Sequence, residues 1–359
     1  MNDPYPPPPL SAPRPASAPR RRMGCLTVLL VLLLAASVFV NLALFGALGM
    51  QAGGEGRIVE RKLRDLDETV LEEAKAGSSD KIALIRLTGV IAYSVEGTSG
   101  ESMVSDLKKA LQQAAKDDAV KAILLVVESP GGEVTASDTL YHAVRTARGK
   151  KPVVVYMQSV AASGGYYVAC GGSWLMAADT TITGSIGVIW QTLQYKELLG
   201  KIGLGTLTFK SGKFKDLLNG AREVTQEEVD YVQGMVMQTY ERFLRVVAAE
   251  RKLDADAIRE GVADGRIFSG TDAKSNGLID DTGYIEDAVK KARELGKAEH
   301  ASVVEYSARF SLAKLFRMLG EARSERTTVR LDLGQGAFPQ LEPGKLYLLP
   351  PHLVGAPVR

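Results

Sequence analysis

Thiols and imidazoles are scarce in this chain of 359 residues. The two cysteines, Cys25 and Cys170, lie in separate apolar runs. That placement argues against a disulfide between them, and no CxxC pair offers a metal site. The three histidines are His142, His300 and His352. His142 falls mid-helix among apolar neighbours and reads as buried or edge-packed. The other two fall in a poorly patterned tail, so a Ser-His-Asp arrangement has little to draw on. No charge sign dominates: the net charge is +2, which gives no footing for nucleic-acid binding. A Walker-type phosphate loop and internal repeats are also missing. Neither a metal nor an organic cofactor is called for.

What is present has the proportions of an ordinary globular protein, 45% hydrophobic and 24% charged. Residues 1–22 are rich in proline and serine and cannot bury a core, so a disordered tail is expected. No charge occurs from Met23 to Gly54. A bilayer crossing needs about 20 apolar residues, and the cleaved signal's apolar region is only about 7–15. Residues 23–50 therefore read as an uncleaved transmembrane anchor. Arg14, Arg20, Arg21 and Arg22 precede it, so the positive-inside rule puts the N-terminus in the cytoplasm and the rest outside the plasma membrane. Residues 51–80 read as a linker with a short charged helix.

From Lys81 strands and helices alternate. KIALIRLTGVI (81–91) reads as a strand rich in β-branched residues. In 101–117, Val104, Leu107, Leu111 and Ala114 share one helical face. KAILLVV (121–127) and KPVVVYM (151–157) are continuous apolar runs, as in strands buried on both faces. A helix lies between them over 133–148. SWLMAA (173–178) and GSIGVI (184–189) read as short strands. Thr225 and Glu228 form a capping box ahead of a long helix to Arg251. A helix near 254–262, a short strand near 278 and a helix over 284–296 complete the pattern. The alternation predicts an α/β domain with mainly parallel strands over 81–298. Residues 299–359 read as a partly flexible extension.

Two loops can carry chemistry. ESPGGEV (128–134) joins a buried strand to a helix. Backbone N–H groups of Gly131 and Gly132 could approach a ligand closely there, as an oxyanion hole requires. A tight turn would use the same residues. VAASGGYYVACGG (160–172) also follows a buried strand. Ser163 could cap a helix or be a nucleophile. With so few histidines a Ser-His-Asp triad has weak support, and the other known solution is a Ser–Lys pair, whose lysine works as a base when burial or neighbouring groups depress its pKa.

Five segments settle the choice by resemblance: VVESPGGEV (126–134), KPVVVYMQSVAASGGYYVAC (151–170), ADTTITGSIGVI (178–189), TFKSGKFKD (208–216) and GRIFSGTDAKSNGLID (265–280). In order and content the chain resembles the signal peptide peptidase A family, peptidase family S49, in its short single-domain form. The resemblance spans roughly residues 80–296 and implies a ClpP/crotonase-like spiral of ββα units. It implies Ser163 as nucleophile and Lys215, rather than Lys210 or Lys213, as base. Ser185 would orient the lysine, and Gly132 with Gly131 and Gly164 would line the oxyanion hole. It also implies a homo-octamer in which each dyad is completed between protomers. Peptides, chiefly signal peptide remnants, would be the substrates.

A broader envelope quality-control protease would use the same dyad. A non-enzymatic oligomeric scaffold would have no need of Ser163 and Lys215 in their motifs. The apolar ending LYLLPP (346–351) reads either as a tail or as a segment that packs on a neighbour or occupies a groove.

Overall fold

In the computed structural model, the described residues are 30, 32–41, 66–75, 77–93, 103–307 and 347–348. The chain divides into two compact units, 1–62 and 63–359. Within the first, residues 32–41 form an exposed helix, α1. Most of the expected anchor lies outside the described residues, and among those described no helix is long and apolar enough to cross a membrane.

The second unit is an α/β domain built on one sheet. Its strands are β1 (Asp67–Glu72), β2 (Lys81–Thr88), β3 (Val120–Ser129), β5 (Val153–Ala162), β6 (Trp174–Ala177), β7 (Ile182–Gly184), β8 (Ile267–Phe268), β9 (Asp281–Thr282) and β10 (Ser302–Ser307). The main path runs β1-β10-β2-β3-β5-β6-β9, with β7 on β5 and β8 on β7. All pairings are parallel except β1 on β10 and β8 on β7. A separate pair joins β4 (Gly132–Glu133) to β11 (Tyr347–Leu348).

β3 shows why the sheet sits in the middle. Ile123, Leu125 and Val127 face one core cluster, with α2 (Met103–Lys116), α3 (Val134–Arg148), α4 (Gly164–Ala169) and α6 (Gln226–Arg251). Ala122, Leu124 and Val126 face the other, under α9 (Ile285–Gly296). A parallel strand covered on both faces must be apolar along its covered stretch, and this one is from Ala122 to Val127. Smaller helices α5 (Lys196–Lys201), α7 (Ala255–Gly261) and α8 (Gly270–Ser275) fill the connections.

β5 positions the site. Its first half pairs with β6, from Val154 to Met157, and its second half with β7, from Val160 to Ala162. The sheet parts between these two neighbours. The end of β5 thereby emerges beside β7 rather than in the sheet centre.

Residues 67–72 are strand, paired antiparallel with β10, and residues 51–65, on which the expected short charged helix would fall, lie outside the described residues. Two expectations need correction. The domain does not stop at 298: β10 lies between β1 and β2 in the main sheet. The short strand at 184–189 lies earlier, at Ile182–Gly184, because Ser185 has φ 52° and leaves the extended region.

Leu125 is fully buried. Leu125→Ala should lower unfolding stability by about 2–5 kcal/mol, read as a fall in the denaturant midpoint without loss of secondary structure.

Candidate active site

Ser163 ends β5 and caps α4 with φ 52° and ψ −115°. L-residues rarely adopt this backbone, and holding it costs about 1–3 kcal/mol. Two bonds hold it: Ser163 N–H donates to Gly184 O at 2.8 Å, and Tyr167 N–H donates to Ser163 O at 2.8 Å. Behind the turn, Tyr166 is fully buried and its hydroxyl donates to Leu278 O at 2.8 Å. The outcome is a sharp strand-to-helix turn of the kind that presents nucleophiles. Ser163 is 0% exposed, and its Oγ has no hydrogen-bond partner. Its side chain does not cap α4. An unsatisfied buried hydroxyl is a costly arrangement.

The glycines bring two backbones together beside it. A Cβ on Gly164 would lie 2.6 Å from Ser137 Oγ and 3.1 Å from Gly132 N. A Cβ on Gly132 would lie 2.0 Å from Ile91 O. Neither position tolerates a side chain without movement. Ile91 N–H donates to Gly131 O and Glu133 N–H donates to Ile91 O, each at 2.8 Å. Alternation along the strand then turns the Gly132 N–H away from Ile91. Gly164 occupies the first turn of α4, where N–H groups lack intrahelical acceptors. Gly131 differs: at φ 109° it makes the turn, and its N–H is engaged by Ser129 Oγ at 3.1 Å. Gly132 and Gly164 are thus the better-placed donors, and Gly131 shapes the loop between them.

Ser185 stands next to Ser163. Ala162 pairs with Gly184, so the two serines leave adjacent strand ends, and both have φ 52°. Ser185 is buried, and its N–H donates to Arg266 O at 2.8 Å.

Lys215 is not brought to Ser163. It is exposed, in a turn of the arm that runs from about residue 189 to 225. The arm carries Leu207 at 82% and Phe209 at 90% exposure, an apolar surface with no cover in one chain. Lys210 donates to Asp216 at 2.7 Å, and Lys213 pairs with Glu227. Lys215 enters none of the ion pairs seen among the described residues. Arg222 pins the base of the arm, bonding both Asp216 and Glu228, the latter at 2.9 Å. Glu228 also closes the capping box of α6 with Thr225, as its sequence predicts.

Other candidates fall away. His142 is exposed on α3 rather than packed. His300 is exposed too, and His352 lies outside the described residues. Cys170 is a free, buried thiol, and burial pushes its pKa up to about 12, which removes it as a nucleophile. No group of three or more His, Cys, Asp or Glu side chains is arranged to hold a metal among the described residues. Sequence reasoning missed Ser129 and Ser137, whereas β11 falls within the LYLLPP ending that it had singled out. The Ser129-x-Gly131 spacing is a local side-chain turn and could have been noticed. Ser137 is fully buried under Gly164, its Oγ donating to Glu133 O at 2.9 Å.

The family model of peptidase family S49 matches residues 145–299, and that of Clp protease matches residues 84–181. A putative protease of Methanocaldococcus jannaschii is 40% identical over 234 residues, spanning 63% of this chain and 74% of the relative. The chain belongs to peptidase family S49. A putative signal peptide peptidase SppA of Enterococcus faecium is 39% identical to this S49 protease over 252 residues, 67% of this chain and 71% of that one. Protease 4 of Salmonella typhi is 35% identical over 223 residues, 62% of this chain but 36% of its own. Among solved structures, a ClpP1 mutant from Listeria monocytogenes overlaps 59% of this chain and 95% of its own, at 16% identity and a TM-score of 0.39.

The arm of the S49 protease has an acid limit. The Arg222 hydrogen bond, then that of the Thr225 backbone, holds the Glu228 carboxyl down at about 2. Arg222 and then Lys210 hold Asp216 well below the usual carboxylate range. Both folded pKa values are depressed, so their stabilisation is complete above the ordinary value of 4.5 for Glu228 and is lost as pH falls through about 2. Protection of the amides over residues 208–228, measured against exchange in the unfolded chain, should hold from pH 7 to 5 and fall below pH 4. Glu228→Gln should exchange fast throughout.

Proposed function

We propose that this S49 protease is a membrane-anchored serine endopeptidase whose dyad is Ser163 and Lys215. The observation that carries the proposal is the Ser163 turn: a strained backbone and an orphaned Oγ, set beside the abutting backbones of Gly132 and Gly164. A strained turn with an unpartnered hydroxyl costs stability at two points, which a reactive group repays in function.

A neutral Lys215 Nζ takes the Ser163 proton as Oγ adds to a peptide carbonyl. The oxyanion is met by the N–H groups of Gly132 and Gly164. Lys215 then returns the proton to the departing amine as the C–N bond breaks. Water, deprotonated by the same amine, releases the acyl group from Oγ. Ser185, buried next to Ser163, orients the incoming amine. An amine entering this closed site would leave water, and desolvation would lower its pKa to the range a base needs.

Within one chain Lys215 is exposed and Ser163 buried. The lysine therefore comes from a neighbouring protomer, delivered by the arm. Docking would also cover the exposed Leu207 and Phe209. The same head-to-tail contact repeated closes a ring, and eight protomers is the proposed number. The anchor in residues 23–50 holds the ring on the outer face of the plasma membrane. Signal peptide remnants are the proposed substrates, since the Enterococcus faecium relative carries the name of a signal peptide peptidase.

A fluorophosphonate should add once, at Ser163, and both Ser163→Ala and Lys215→Ala should abolish the adduct in mass spectra. Adduct formation at another residue would reject the dyad. Mixing the two inactive variants before assembly should restore roughly a quarter of wild-type peptidase activity, because random head-to-tail neighbours place an intact Ser163 beside an intact Lys215 in that share of contacts. No recovery in mixed rings would place both groups in one chain. Gly132→Ala keeps the backbone N–H but should lower kcat by about 100-fold or more, because its Cβ, 2.0 Å from Ile91 O, forces the loop to move and displaces the donor.

A further inference from the structure

β5 changes neighbours between Met157, the last residue paired with β6, and Val160, the first paired with β7. On its other side the register slips at the same place. Val127 pairs with Met157 and Ser129 with Ala161, so Gln158, Ser159 and Val160 stand opposite Glu128 alone. Backbone groups inside such a break lack their ladder partners, and the buried ones must find others.

Side chains supply them. Thr181, just before β7, places its Oγ1 3.1 Å from Met157 O and also within hydrogen-bond reach of Gln158 O. Its one proton serves either carbonyl. Thr183, inside β7, donates from Oγ1 to Ala161 O at 2.7 Å. Glu128 closes the opposite side, where its Oε2 accepts the Ser159 N–H at 2.7 Å. Both threonines are buried, so water does not stand ready to replace their hydroxyls. The Thr183 bond lies directly ahead of the Ser163 N–H to Gly184 O bond along both strands.

We propose that Thr181 and Thr183 are positioning residues for Ser163: their hydroxyls take the β5 carbonyls that the break leaves open, and so fix where the Ser163 turn leaves the sheet. The proposal rests on the reading of Ser163 as the nucleophile. A residue in a sparsely populated backbone region stays there only when its surroundings over-determine it. β7 joins β5 by three residue pairs, a short ladder for that task, and the threonine bonds add to its hold. The β-branched shape of threonine suits a strand, but valine has that shape too. What valine lacks is the donor. Placement matters because a shift of about 1 Å at a reacting atom can slow a reaction about 100-fold.

The test uses full-length protein in detergent: wild type, Thr181→Val, Thr183→Val and Thr183→Ser. A fluorogenic apolar peptide reports kcat and KM. Each valine variant should lose about 100-fold in kcat with KM unchanged. Thr183→Ser keeps the hydroxyl and should stay near wild type. A role in packing alone predicts the opposite order, since serine loses the methyl group that valine retains. Serine as slow as valine, or valine at the wild-type rate, would overturn the proposal. If Thr183→Val does not fold, Thr181→Val carries the same prediction. Amide exchange at Ser163, localised by mass spectrometry, needs no catalysis. Both valine variants should lose about tenfold in protection of the Ser163 N–H, with protection in β3 intact. That loss supports the proposal even if wild type cleaves no peptide and takes no fluorophosphonate, a result that would overturn the protease reading alone. Unchanged protection of the Ser163 N–H overturns the positioning proposal alone.

Discussion

The site depends on one backbone hydrogen bond, from Ser163 N–H to Gly184 O at 2.8 Å. It joins the end of β5 to the end of β7 and holds Ser163 at positive φ. The bond exists because β5 changes partners halfway along, from β6 to β7. A strand paired with one neighbour throughout would end inside the sheet. This one ends at a parting of two strands, where a chain can turn sharply into a helix. The glycines follow from that turn. α4 starts so close to the loop after β3 that a side chain on Gly164 would meet Ser137 and Gly132. The close approach aligns two sets of backbone N–H groups beside one hydroxyl. Electrostatic stabilisation of a developing oxyanion needs donors fixed in advance, and backbone donors on packed elements are fixed by the fold itself.

The lysine of the proposed dyad lies on a different kind of structure. The arm carrying Lys215 has little core of its own and many exposed apolar residues. Its order comes from charge: Arg222 between Asp216 and Glu228, anchored at the capped start of α6. A rigid sheet end holds the serine, and a charge-braced arm carries the lysine. Such a division suits a group that has to be delivered to a partner. β11 adds a third element, held by main-chain pairing at Gly132.

Much of the fold was legible from residue pattern. β3 is apolar at every central position because both of its faces are covered, and continuous apolar runs announce that directly. The capping box of α6 was equally plain, since Thr225 and Glu228 satisfy each other locally. β1 and β10 were not legible. Their pairing links residues far apart in sequence, and β1, an edge strand with exposed charged residues, carries no strong local signal. The strand assigned to 184–189 was displaced for a related reason: Ser185 takes a positive φ that tertiary bonding imposes.

The sequence by itself determined the α/β alternation, the family, and which hydroxyl, lysines and glycines deserve suspicion. Those properties reside in residue order and in short-range physics. Only the tertiary structure decided that Ser163 is strained and unpartnered, that Gly131 is a turn residue while Gly132 turns its N–H away from Ile91, and that His142 lies in solvent. It also separated Lys215 from Ser163 within one chain and laid Leu348 against Gly132. Each of these is a contact between segments distant in sequence, and such contacts exist only once the sheet has brought the strand ends together.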